Sequence, residues 1–328
     1  MTTRRHTLRF IGAGLAAPAL LGAPRAFAQP ALKQLTLVVP FPAGGGTDVV
    51  ARLVAEGLRG TFAETVLVDN RAGAGGRIGV AYVKNAPPDG RVMLFTPAFP
   101  LAIFPHIYKN LPYDAMKDFI PVATTSKGAM ALSVGPGVPA SVRTATDFIA
   151  WCKANPAKAT FGAPAGSGQH FAGVQFAKAA DIPLRLVPYK GGAPSVVDVL
   201  GGHIAAVVTP LSEVVSHVKD GNLRMLATTT RRRTRFTPNV PTMSELGFQV
   251  VFEDWSGVLA PVGTPRELVA RASAAIADVV RSPAGSAAMD KLGVESDVNS
   301  PQEFAEIHRA AWERYQGVVK ATGFTAED

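Results

Sequence analysis

The sequence predicts an α/β protein of two domains, and three observations support this prediction. Short β-branched runs alternate with amphipathic segments of helical spacing, and the alternation starts again near residue 130. Three glycine-rich loops each stand between a strand and a helix. A length of 328 residues with 47% hydrophobic residues is enough for about two cores. We therefore expect two mixed, mostly parallel sheets flanked by helices, with a ligand cleft between them.

The N-terminal segment predicts an export signal. Arg4, Arg5 and Arg9 precede an apolar stretch over residues 10–23, and the small-x-small pattern that a signal peptidase accepts ends at Ala28. The apolar stretch is shorter than the roughly 20 residues that a membrane span needs. We expect cleavage near Ala28 and a periplasmic mature protein, with Sec and twin-arginine export both open.

The first half of the mature chain alternates strands and helices. Residues 35–39, 66–68 and 92–95 are predicted as strands, and residues 48–58 and 77–85 as helices. A turn of proline, aspartate and glycine ends the second helix. This order favours a parallel sheet covered on both faces.

The second half repeats the alternation with shorter elements. The predicted strands are residues 129–134, 160–161, 185–187, 204–208 and 225–228, and the predicted helices are residues 171–180 and 195–200.

The C-terminal part is more helical. A helix over residues 265–280 follows the cap-like Thr264, and another over residues 301–319 has a capping box of Ser300 and Glu303 with proline at its first position.

The chain thus makes one sheet, crosses to a second and returns with helices. We assign residues 29–130 and 254–328 to domain 1 and residues 131–253 to domain 2.

The loop over residues 40–48 is the most informative segment. Three consecutive glycines remove every Cβ, so the backbone can approach a ligand closely, and the next two residues can cap some amides of the following helix. This geometry favours an anion, although a tight turn is the alternative. The loop lacks the ending of a phosphate loop and the spacing of a dinucleotide fingerprint. The expected ligand contacts here are Phe41, Ala43, Gly44, Gly45, Gly46, Thr47 and Asp48.

Two further loops, over residues 162–170 and 189–194, repeat the pattern in the second half. Helix N-termini that face one cleft from opposite domains each carry partial positive charge, so a ligand with a carboxylate at one or both ends would bridge them. Two alternatives are a histidine that only caps its helix and a lysine that is only solvated. The expected contacts are Gly166, Ser167, Gly168, His170, Tyr189, Lys190 and Thr209.

The sequence offers no catalytic or metal-binding pattern. It has no Gly-x-Ser-x-Gly elbow, and its six histidines show no close metal spacing. The single cysteine, Cys152, lies in an apolar helical phrase and is predicted to be buried. The basic run over residues 231–235 has no interleaved aromatic residue, so we expect no nucleic acid. Binding without reaction, cofactor or metal is the simplest interpretation.

Eight motifs carry a family resemblance in their order along the chain, at residues 40–48, 68–76, 89–90, 108–114, 189–192, 200–204, 241–245 and 260–265. The mature chain resembles the Bug family over nearly its whole length. These are the TctC-like extracytoplasmic solute-binding proteins of tripartite tricarboxylate transporters.

The resemblance implies a type II-like periplasmic-binding-protein clamshell, with its first domain built from both ends of the mature chain. It implies a small carboxylate ligand held on residues 43–48, with a second loop at residues 166–170. It also implies a membrane partner of one large and one small integral subunit. We expect a monomer.

The segment over residues 96–104 is more apolar than in typical family members. Phe99 and Phe104 therefore favour an apolar or aromatic carboxylate, unless both side chains belong to the core. Two other functions stay open on the residues alone. One is a secreted two-domain hydrolase or isomerase, and the other is a ligand sensor for a signalling partner.

Overall fold

The computed structural model describes residues 32–326, so the predicted export signal lies outside the described range. A short 3-10 helix at Ala74–Gly76 precedes the second α-helix. The other elements, in chain order, are β1 (Leu32–Val39), α1 (Gly46–Leu58), β2 (Ala63–Asn70), α2 (Arg77–Lys84), β3 (Val92–Pro97), α3 (Phe99–Ala102), α4 (Phe104–Ile107), β4 (Phe119–Val134), α5 (Ala145–Ala154), β5 (Thr160–Ala163), α6 (Gly168–Ala179), β6 (Arg185–Pro188), α7 (Gly192–Leu200), β7 (Ala206–Pro210), α8 (Leu211–Lys219), β8 (Arg224–Thr228), β9 (Glu253–Pro261), α9 (Arg266–Arg281), α10 (Pro283–Lys291), β10 (Glu295–Ser296) and α11 (Pro301–Thr322).

The long strand β4 joins two sets of strands, which we call the first and second lobes. In the first lobe β1 pairs in parallel with β2 and β3, and β9 pairs antiparallel with β3 and with β4. In the second lobe β5 pairs in parallel with β6 and β7, while β7 and β8 pair antiparallel with β4. The α/β clamshell predicted from the sequence is confirmed. The antiparallel pairs described above all include β4 or β9.

Helices pack their apolar side chains against the strands in three cores. In the first lobe, α1 buries Val50, Val54 and Leu58 in a core that also takes Ile276 and Val280 from α9. A larger core runs through both lobes, and a smaller one lies under α7 and α8. No helix within residues 32–326 is both long and apolar enough to cross a membrane.

The predicted elements are largely confirmed, with shifted ends, and the capping box of Ser300 and Glu303 is present. One predicted cap is wrong: α9 begins at Arg266, and the Thr264 hydroxyl donates to the Pro261 carbonyl oxygen instead. The elements without a sequence prediction are α3, α4, α8, α10, β9, β10 and the first part of β4, whereas α5 contains the predicted helical phrase around Cys152. The two residue boundaries between domains stay a prediction.

A candidate carboxylate-binding cleft

A cleft of about 940 Å³, including the space at its open mouth, lies between the two lobes. Its walls are the loops that follow β1, β5, β6 and β7, together with the middle of β4. Most of its lining side chains are apolar. The lining residues are Phe41, Pro42, Gly45, Gly46, Thr47, Asp48, Val50, Pro97, Phe99, Ser256 and Val294 from the first lobe, Ser126, Gly128, Ala129 and Met130 from β4, and Pro164, Gly168, Gln169, Gly191, Gly192, Ala193, Pro194, Pro210, Ser212 and Glu213 from the second lobe.

Asp48 fixes the loop before α1 from a position in the first helical turn, where it is 2% exposed. Its Oδ2 accepts hydrogen bonds from the Gly44 amide (2.8 Å) and Arg52 Nε (2.9 Å), and its Oδ1 accepts one from Asn70 Nδ2 (2.9 Å). Burial raises the pKa of Asp48, but the bonds from Arg52, Gly44 and Asn70 outweigh it and hold the pKa below its usual value. Both carboxylate oxygens therefore have partners within the first lobe.

The glycines of this loop have different roles. Gly44 has a φ of +85°, a left-handed conformation that favours glycine, whereas Gly45 caps α1 with an ordinary φ of −76°. Gly45, Gly46 and Thr47 line the cleft, while Ala43 and Gly44 lie outside its lining. The first amides of α1 have no intrahelical acceptor, so they are available to an anion.

Glu213, at the start of α8 in the second lobe, reaches one of these amides. Its Oε1 lies 3.2 Å from the Gly46 nitrogen, and its Oε2 accepts a short hydrogen bond from the Thr209 hydroxyl. A Cβ at Gly192 would overlap the same carboxylate, so this group also lies against the N-terminus of α7. Desolvation raises the pKa of Glu213, against the opposite effect of the Thr209 and Gly46 hydrogen bonds. A carboxylate of the protein thus connects the two lobes.

In the second-lobe loop at residues 162–170, some residues hydrogen-bond within the loop and others line the cleft. Ser167 caps α6 by accepting from the His170 amide (3.2 Å), and its hydroxyl donates to the Pro164 carbonyl oxygen (2.6 Å). His170 Nδ1 accepts from the Gly166 amide (3.2 Å). Of the predicted contacts in this loop, Gly168 lines the cleft, whereas Gly166, Ser167 and His170 lie outside its lining.

His170 is turned into the protein. Its ring lies against Phe171 and Phe324, with centroids 5.1 and 4.7 Å away. Burial lowers the pKa of His170 to about 4, so the ring is neutral near pH 7. Its interactions within the described structure are those of a packed side chain.

Gln169 presents a polar group that the protein itself does not satisfy. It is the second residue of α6, lines the cleft and is 8% exposed. Its Oε1 is buried without a hydrogen-bond partner among the described residues. Buried side-chain polar atoms are usually paired, so an unpaired amide oxygen in a cleft is suited to a ligand group that donates a hydrogen bond.

Three predicted contacts come from the β6–α7 connection and from the end of β7. The Tyr189 hydroxyl donates to Asp198 Oδ2 (2.6 Å), and burial, aided by Asp198, raises the pKa of Tyr189 to about 12. Lys190 is exposed, and Thr209 is fully buried beneath Glu213. All three lie outside the cleft lining, although Thr209 reaches the cleft through its bond to Glu213.

The three predicted phenylalanines, Phe41, Phe99 and Phe104, pack against one another in a row that runs from the cleft into the core. The ring centroids of Phe41 and Phe99 are 5.3 Å apart, and those of Phe99 and Phe104 are 5.4 Å apart. Phe41 and Phe99 line the cleft, whereas Phe104 is fully buried behind them. An apolar part of a ligand would therefore lie against Phe41 and Phe99.

The charged residues that line the cleft are both acidic. They are Asp48 and Glu213, and no lysine, arginine or histidine of the described range belongs to the lining. The same range contains no group of histidine, cysteine and acidic residues suited to a metal ion. Cys152 is buried, and desolvation raises the pKa of its thiol to about 12.

Two lobes around an apolar cleft, with the N-termini of α1, α6, α7 and α8 at its walls, are typical of a solute-binding protein of the periplasmic class. The tripartite tricarboxylate transporter family receptor model, TctC, matches residues 50–324, and the chain belongs to this family of periplasmic receptors. The protein BugT of Bordetella pertussis is 34% identical over 314 residues, which are 95% of this chain and 94% of BugT.

Two solved structures are also similar to this chain. A protein of R. palustris solved with adipate has a TM-score of 0.85 and 31% identity, covering 89% of this chain and 98% of its own. The periplasmic binding protein BugD has a TM-score of 0.84 and 29% identity, covering 90% and 99%. The family predicted from the motifs is confirmed.

The sequence analysis missed five polar cleft residues, which are Ser126, Gln169, Ser212, Glu213 and Ser256. For Glu213 a signal existed, because Leu211, Val214 and Val215 have the spacing of an apolar helix face that α8 buries. For Gln169 the signal was its place at the start of a predicted anion-binding helix. Neither signal shows which way the side chain points.

Proposed function

We propose that this receptor captures a small carboxylate between its lobes in the periplasm and delivers it, unaltered, to the large and small integral membrane subunits of a transporter. The observation that carries the proposal is the convergence of the first turns of α1 and α6, from opposite lobes, on one cleft. Helix N-termini attract carboxylates through free amides and the helix dipole. Adipate in the R. palustris relative supports the same class of ligand.

The expected ligand has an apolar body. Phe41 and Phe99 offer ring faces to it, and Gln169 offers an unpaired amide oxygen, a hydrogen-bond acceptor, near the start of α6. In such a cleft a few polar groups orient the ligand, and apolar contacts supply much of the affinity. An apolar or aromatic carboxylate therefore suits the cleft better than one with many charges.

The export signal proposed for residues 1–28 places the mature protein with its ligand outside the inner membrane. N-terminal sequencing of the secreted protein tests this, with a first residue near Gln29 expected. An N-terminus at Met1 would contradict export with cleavage.

Calorimetric titration of the mature protein with a series of straight-chain and aromatic carboxylates tests the binding proposal. Recovery of the ligand after long incubation, followed by mass spectrometry, tests the absence of turnover. We expect saturable one-to-one binding and an unchanged ligand. A chemically altered ligand, or no binding by any carboxylate, would contradict the proposed function.

A further inference from the structure

The carboxyl group of Glu213 lies beside the amides that the first-lobe loop offers to a ligand carboxylate. Its Oε1 accepts from the Gly46 amide at 3.2 Å, at the first residue of α1. The first hydrogen bond inside α1 comes from the Val49 amide, so the amides of Thr47 and Asp48 have no intrahelical acceptor and are available to the ligand. Glu213 lines the cleft and is partly exposed there. A ligand carboxylate on these amides therefore lies next to the Glu213 carboxyl group.

Two adjacent carboxyl groups do not both stay ionised unless a cation lies between them. No lysine, arginine or histidine of the described range lines the cleft, and Arg52 is already paired with Asp48 at 2.9 Å. A shared proton replaces the repulsion with a charge-assisted hydrogen bond. Desolvation raises the pKa of Glu213 before any ligand binds, so this residue is the one suited to hold the proton.

We propose that Glu213 binds the ligand as a neutral carboxylic acid: its hydroxyl donates a hydrogen bond to the ligand carboxylate that the start of α1 holds. This inference rests on the proposed function and adds a second-lobe contact at the same end of the ligand. The proton comes from solvent wherever Glu213 is ionised in the free receptor. The Gly46 amide donates to Oε1 and the Thr209 hydroxyl donates to Oε2, and an acid hydroxyl oxygen can accept one bond while it donates another.

Other titratable groups on the elements around Glu213 require a control. They are Asp48 of α1, Tyr189 and Lys190 before α7, Lys127 of β4 and His217 of α8. Asp48 is held in its ion pair, and both lysines are exposed outside the cleft lining. Burial, aided by Asp198, raises the pKa of Tyr189 to about 12. Of these groups, only His217 belongs to a residue type that ordinarily titrates near neutral pH.

Calorimetric titration of the mature protein between about pH 6.5 and about pH 9 tests this contact. The probes are the straight-chain dicarboxylates from succinate to suberate, hexanoate and benzoate, which stay ionised over this range. Binding to an ionised Glu213 requires the uptake of a proton. The affinity of the wild type should therefore be highest at the acid end and fall by at least about tenfold toward the alkaline end. Titrations in two buffers of different ionisation enthalpy should report this uptake at the alkaline end.

Glu213→Gln is the most informative variant, because its amide is neutral at every pH and keeps both an acceptor for Gly46 and a donor for the ligand. Its affinity should not depend on pH, so at about pH 9 it should bind about threefold or more tightly than the wild type. Glu213→Ala removes the donor and should bind about tenfold more weakly than Glu213→Gln at every pH. His217→Gln, on the same helix, is the matched control and should keep the pH dependence of the wild type.

The outcomes separate the two claims. A wild-type affinity that stays constant over this pH range, or one that falls in parallel in Glu213→Gln, would overturn the role of Glu213 while carboxylate capture stands. Loss of the pH dependence in His217→Gln would assign the proton to that histidine and would also overturn the role of Glu213. If no probe binds the wild type at any pH, carboxylate capture fails and the role of Glu213 fails with it.

Discussion

The two glycine-rich loops that face each other across the cleft have similar sequences but differ in which of their polar groups already have hydrogen-bond partners. In the first-lobe loop, the Asp48 carboxylate is satisfied by three donors and the Gly46 amide already meets Glu213. In the second-lobe loop, Ser167 and His170 satisfy the backbone from inside, while Gln169 keeps an unpaired oxygen at the cleft. A glycine-rich strand-to-helix turn therefore supplies an anion site only where the rest of the fold leaves it free.

Removal of the Asp48 side chain should have the largest effect on the first loop. Asp48→Ala leaves the Gly44 amide, Arg52 and Asn70 without their common acceptor, so the free energy of unfolding should fall by about 3 kcal/mol. Asp48→Asn keeps one acceptor oxygen and should lose about 1 kcal/mol. Urea denaturation of both variants measures this. Normal stability of Asp48→Ala with a large loss of affinity would mean that the charge contacts the ligand.

Acid should lower the stability of the protein through His170, which lies in the second-lobe loop. Burial lowers its pKa from 6.5 to about 4, so the unfolded chain takes up a proton before the native protein does. The stability that His170 contributes is therefore present above about pH 6.5 and is lost as the pH falls toward about 4, amounting to about 3 kcal/mol.

Denaturation of the wild type and His170→Gln across this pH range measures the difference. His170→Gln should not lose this share of the free energy of unfolding as the pH falls. His203→Gln, at an exposed histidine, should lose as much as the wild type does. Parallel curves for the wild type and His170→Gln would contradict a buried neutral ring.

Gln169 should matter for affinity and little for stability. Gln169→Ala loses the hydrogen bond that Gln169 Oε1 would accept from a donor group of the ligand, which should weaken binding by about tenfold. Its unfolding should stay near that of the wild type, because its Oε1 has no partner within the described structure. Gln175→Ala, on the same helix and outside the cleft lining, is the control. Equal affinities of Gln169→Ala and Gln175→Ala would remove Gln169 from the site.

The smallest effect is expected at Thr47. It lines the cleft, but the proposed contribution of this turn comes from backbone amides rather than from the hydroxyl. Thr47→Ala should change the dissociation constant by less than about twofold in calorimetric titration. A tenfold loss would assign the hydroxyl a direct contact.

The sequence predicted those helices and strands whose residue spacing alone is enough to specify them. The strand, glycine loop and helix over β1 and α1 follow from an apolar run, three glycines and an apolar stripe, and the structure confirms them. The first part of β4 contains Pro121, which argues against a strand by local rules. It forms because β9, more than a hundred residues later, pairs with it. Long-range pairing of this kind leaves no local signal.

The candidate site was also only partly predictable from local sequence patterns. The motifs placed Gly45, Gly46, Thr47 and Gly168 at a cleft, since a strand-to-helix turn exposes its own amides. They did not place Glu213, which meets Gly46 across 167 positions of sequence. A glutamate on an amphipathic helix is solvated by default, and only the packing of the second lobe turns it toward the cleft.

A crystal structure of the mature protein with its tightest-binding carboxylate tests the central claim most directly. We expect the ligand between the lobes, its apolar part against Phe41 and Phe99, and its carboxylate oxygens about 2.7–3.2 Å from backbone donors at the start of α1 or of α6. A ligand bound outside the cleft, or a carboxylate that faces solvent away from every helix N-terminus, would contradict the account.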